Sequence, residues 1–186
     1  MLGRERREER REDRPGPTGG GPGGENRYQM VQKMVSIGDD YWIENGRGEK
    51  VYKVDGKALR VRSTLIFEDR QGRELCKIQE KMLRVRDTMD IEGSNGVPNA
   101  SIKKAMITPL RERFTLNVAG GPDIEIQGNL VDHEYRFEQG GHRVAEVSKK
   151  WFRVRDSYGV EIDPGQNDIL ILAATVAIDM MVNPAR

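Results

Sequence analysis

The sequence predicts a mainly β fold, an antiparallel barrel of about twelve strands enclosing a hydrophobic C-terminal helix. Three observations carry this. From Tyr28 onward the chain is a series of short runs of period 2, broken by glycine-rich turns. One supersecondary unit occurs twice. A single long segment, Ile169–Val182, is apolar on nearly every side.

The first element is a tail. "MLGRERREERRED" alternates Arg with Glu and Asp, and "PGPTGGGPGG" follows it. Neither stretch can bury enough apolar area to offset the entropy of ordering, so residues 1–26 are expected to be disordered and 27–186 to form the domain. The strand runs come next: "YWIE", "EKVYKVD", "ALRVRSTLIFE", "ELCKIQE", "MLRVRDTMDIE", "ASIKKAMIT", "RERFTLNVA", "DIEIQGNLV", "EYRFE", "RVAEVSK" and "FRVRDSYGVEI". Between them sit "NGRG", "DRQG", "GSNG", "AGGP" and "EQGG", whose residues accept tight turns or positive φ.

The repeat fixes which way side chains point. "FEDRQGRELCKIQEKMLRVRD" from Phe67 matches "FEQGGHRVAEVSKKWFRVRD" from Phe137, with one residue fewer in the turn. After that gap Cys76 pairs with Ala145, Ile78 with Val147, Lys81 with Lys150 and Asp87 with Asp156. Cys76 and Ile78 share one face of a strand, and that face should meet the core. Cys76 is then a small buried hydrophobe rather than a reactive thiol. Two copies of one unit imply a pseudo-symmetric sheet.

The last element fills the barrel. Ile169–Val182 spans roughly 21 Å as a helix, short of the ~30 Å hydrocarbon slab, and Asp179 makes a membrane position dearer still. Asn167 or Asp168 supplies the N-cap of a helix over about 168–182, and Pro184 stops it. Asp168, Thr175 and Asp179 lie on one narrow polar stripe, with Leu172 at the same spacing, and these are the expected structural positions of the helix. Asp179, near the unfavourable end of the helix dipole, requires a donor, expected to be an inward Arg, Lys, Trp or Tyr.

Composition excludes several functions. A net charge of +1 from 31 basic and 30 acidic residues gives no global field for nucleic acid. One cysteine permits no internal disulfide, and the N-terminus has no apolar secretory core, so a cytoplasmic location is expected, peripheral at the membrane if lipid is bound. His133 and His142 lack neighbouring ligands at metal spacing, and no phosphate loop, serine elbow or paired-carboxylate motif is visible, so neither cofactor, metal nor catalytic residue is assigned. The suggestive polar feature is "RVR", which occurs three times, at Arg60 and Arg62, Arg84 and Arg86, and Arg153 and Arg155, with Lys81 and Lys150 nearby. Residues two apart share a strand face, so these pairs should point outward. Two readings stand: a solvated wall of cross-strand ion pairs, or an anion-binding patch for lipid headgroups.

"YWIENGRGEKVYKVDGKAL", the "D..G..L..I..K.L" pattern from Asp69 to Leu83, and "DSYGVEIDPGQNDILILAATVAID" together resemble the LURP-one-related family, grouped with tubby C-terminal domains and phospholipid scramblases. The resemblance covers about 28–182. It implies a twelve-stranded barrel wrapped around a hydrophobic C-terminal helix. Plant members are associated with pathogen defence, and tubby domains bind phosphoinositides, although no tubby lipid position can be carried onto a residue here. The resulting expectation is a non-enzymatic binding or scaffold domain that engages anionic phospholipid or a protein partner. The alternatives are a scramblase-like membrane-associated protein and an enzyme.

Overall fold

A computed structural model describes residues 26–31, 41–56, 64–80, 88–105, 112–151 and 157–182. Twelve antiparallel strands follow one another: β1 Arg27–Val31, β2 Tyr41–Asn45, β3 Lys50–Asp55, β4 Thr64–Asp69, β5 Glu74–Glu80, β6 Thr88–Gly93, β7 Ala100–Ala105, β8 Glu112–Val118, β9 Ile124–Asn129, β10 Glu134–Gln139, β11 His142–Ser148 and β12 Ser157–Ile162. Each pairs with its sequence neighbours, and β1 joins β12 to close the barrel. Closure leaves none of these twelve described strands with a free edge to pair with another chain. The final element, α1, is Asp168–Val182.

The period-2 pattern does what alternation requires. Along β5, Cys76 and Ile78 are fully buried, and their cross-strand partners Phe67 and Leu65 are equally inaccessible. Ala145 and Val147 on β11 repeat the arrangement against Phe137 and Tyr135. The hairpins β4–β5 and β10–β11 stand six strands apart in the ring, on opposite sides of the barrel. Each carries a register shift at the same step of the repeat, between Phe67 and Glu68 and between Phe137 and Glu138. A bulge at that step bends both hairpins alike, so the internal repeat is a pseudo-two-fold of the barrel wall.

Alternate strand polarity gives the barrel two mouths. One carries the short turns, including β2–β3, β4–β5 and β10–β11, and the start of α1. The other receives the ends of β3, β5, β9 and β11 and the last turn of α1. Leu170–Ile178 is buried without interruption, with Leu172, Ala173, Ala174, Val176 and Ala177 at zero exposure. No face of α1 is wet over that stretch, because the strands surround it. Small residues let the wall approach closely. Met180, Met181 and Val182 emerge partly at the second mouth. No helix among the described residues is long and apolar enough to cross a membrane.

Candidate functional site

The two carboxylates that α1 carries into the barrel, Asp168 and Asp179, are held by groups of the wall and its turns, and Thr175 by the helix itself. At its start, Asn167 rather than Asp168 caps the helix: its Oδ1 accepts from Leu170 N–H at 3.0 Å. Asp168 is turned inward instead, where the Tyr28 hydroxyl donates to its Oδ2 at 2.5 Å. Burial raises the Asp168 carboxyl above the usual carboxylate range, and the Tyr28 bond opposes that rise. Burial, followed by the neighbouring Asp168, drives the Tyr28 phenol upward as well. Thr175, one helical stripe further, donates back to Ile171 C=O at 2.9 Å, a bond that lets a hydroxyl sit in an apolar interior.

At the other end, Asp179 has a described partner that the sequence reading did not name. It is His133, whose Nε2 lies 3.1 Å from Asp179 Oδ1 with both side chains almost fully buried. His133 sits in the β9–β10 turn in a left-handed conformation, φ 53°, which is uncommon for a residue with a Cβ. Its ring stacks on Tyr158 at 4.1 Å between centroids. Sequence reasoning set His133 aside as a metal ligand for want of a Cys or carboxylate at ligand spacing; the fold brings Asp179 to it from 46 residues along the chain. Buried beside this pair, Tyr135 is pushed up by burial and then by the Asp179 charge, and its hydroxyl has no hydrogen-bond partner of good geometry among the described residues.

The outer wall is richly ion-paired where it is described. Arg27 bonds Glu161, and Arg143 reaches Asp163 at 2.8 Å, Glu146 at 3.0 Å and Glu161 at 3.5 Å. The Arg27 bond holds the Glu161 carboxyl below its ordinary range, and the Asp163 bond raises the Arg143 guanidinium. Arg27, Arg143, Glu161 and Asp163, with Asn26, Gly46, Ile162 and Pro164, line an open cleft of about 570 Å³ at the first mouth. Its charges are already matched to one another.

The family model for LURP-one-related proteins matches residues 26–179, most of the chain. The chain belongs to the LURP-one-related family. Among solved structures, an X-ray structure of a protein from Arabidopsis thaliana superposes with a TM-score of 0.59 at 14% identity, covering 84% of this chain and 91% of that one. At that identity it shares the fold alone. No curated protein matches the chain.

Within this LURP-one-related domain the expected anion patch is only partly placed. Lys150 is exposed at the second mouth, its Nζ 3.4 Å from Glu134. Arg60, Arg62, Lys81, Arg84, Arg86, Arg153 and Arg155 lie outside the described residues. The residues that bracket them are described, and Asp55 and Thr64, Glu80 and Thr88, and Ser148 and Ser157 are all strand ends at that same mouth. The structural positions Asp168, Leu172, Thr175 and Asp179 all lie in the barrel interior. Among the described residues, no cluster of His, Cys, Asp and Glu could hold a metal ion.

Proposed function

We propose that this LURP-one-related domain is a non-catalytic binding module whose working surface is the second mouth, where α1 ends, and whose ligand is an anionic phospholipid headgroup. The observation that carries the reading is topological. The described strand ends bracketing all three Arg-Val-Arg segments open on one mouth, which supports a reading in which the three segments serve one surface. Arg forks suit phosphate oxygens, and clustered cations favour anionic leaflets. The interior is taken up by α1, which directs binding to the outside.

The test uses the full chain with Arg84, Arg86, Arg153 and Arg155 changed together to Gln, sedimented with vesicles containing anionic lipid across a salt series. The wild type should pellet at low salt and release as salt rises. The variant should stay folded and remain in the supernatant. Equal pelleting by both proteins would leave only the solvated-wall reading of these arginines.

A further inference from the structure

Two Asn-Gly steps occur in the sequence, Asn45–Gly46 and Asn95–Gly96. Glycine offers no Cβ to block its own amide nitrogen, so at such a step the backbone N–H of Gly is well placed to attack the Asn side-chain amide. The fold treats the two steps differently. Asn45 is buried, its Oδ1 accepts from the N–H groups of Arg47 and Glu49, each at 3.0 Å, and its Nδ2 donates to Glu49 at 2.8 Å. Asn95 is exposed, and both it and Gly96 have positive φ, 51° and 89°, in the turn from Ser94 to Val97. Its side chain is held through Nδ2 alone, to Glu74 C=O at 2.9 Å and weakly to Ser94 Oγ at 3.4 Å. The Gly96 N–H makes no hydrogen bond among the described residues.

We propose that Asn95 is a spontaneous deamidation site whose conversion loosens the N-cap of the central helix. Gly96 N attacks Asn95 Cγ; the N–Cγ bond forms, the Cγ–Nδ2 bond breaks, and the Gly96 amide proton leaves with the Nδ2 amino group as ammonia. Water then opens the succinimide at either carbonyl, giving aspartate or isoaspartate with no change in oxidation state. The consequence is set by what the turn holds. Gly96 C=O accepts from Asn167 Nδ2 at 3.3 Å, and Asn167 is the residue that caps α1. Conversion replaces the Nδ2 donor with a carboxylate facing Glu74 C=O, acceptor against acceptor, and isoaspartate adds a backbone carbon inside the turn. Either change shifts Gly96 and weakens its hold on Asn167.

Peptide mapping of the full chain, held folded in mildly alkaline buffer, tests the chemistry. Acid should accumulate at position 95 while Asn45 keeps its amide, and both should convert alike in denaturant. Asn45 converting as fast as Asn95 in the folded protein, or Asn95 staying intact while the denatured chain converts, would overturn the site. Thermal melts test the consequence: Asn95→Asp should lower the melting temperature, but by much less in an Asn167→Ala background than alone. Fully additive shifts would overturn the coupling to the cap.

Discussion

Asp179, buried near the end of a helix, is met by His133 from the β9–β10 turn. The two residues depend on each other, since removing one leaves the other's polar atoms without that bond in an apolar interior. Asp179→Leu alone, or His133→Leu alone, should cost about 1–3 kcal/mol, and the double variant less than the sum, measured as a denaturant double-mutant cycle. Strict additivity would mean that the contact contributes nothing. Cys76 behaves as its pattern foretold: burial pushes its thiol up to about 12, so a thiol reagent should label it only on unfolding. Glu161 carries a pH dependence. Its folded carboxyl is held below the ordinary range by Arg27, so the stability it contributes is present above the unfolded value and lost as pH falls through the folded one. Glu161→Gln should therefore lower stability at neutral pH, by less than about 1 kcal/mol for so exposed a network, and converge with wild type in acid. At this scale the need for a partner to Asp179 was legible in the sequence, while the partner was not. His133 stands 46 residues away, on a turn whose left-handed backbone no alternation reveals.

The strands and α1 were legible to different depths. "ELCKIQE" is β5 end for end, because its alternation is flanked by turns that stop it. β1 was not among the runs: "RYQMV" is short, and only Tyr28 and Met30 mark its inner face. It becomes a strand through pairing with β12 along its whole length. For α1, unbroken apolarity was the signal, since a helix with no wet face must be enclosed. Ala174→Asp and Ala177→Asp each place a charge where exposure is zero, and should give insoluble or unfolded protein. Thr175→Ser keeps the hydroxyl that bonds Ile171 and should be mild. A soluble Ala174→Asp protein with a wild-type melting profile would argue against the buried helix.

For the whole molecule, the duplicated unit was visible in the sequence, but its six-strand offset was not, because a repeat specifies copies and not their place in a closed ring. That the described strand ends on either side of each Arg-Val-Arg segment share one mouth was equally hidden, since it follows from strand polarity rather than from any local pattern. What unites both halves is the helix they enclose. Leu170, Ile171, Leu172, Val176 and Ile178 are all buried, and each large apolar side chain contributes roughly 1.5–3 kcal/mol on burial. Losing them together is comparable with the ~5–15 kcal/mol that holds a typical domain folded. The most direct measurement is circular dichroism with thermal melting of the chain ended after Gly165, alongside fractionation of the expressed protein. The filled-barrel account predicts an insoluble or non-cooperative product, because the wall has nothing left to pack against. A soluble β protein that melts cooperatively would contradict it.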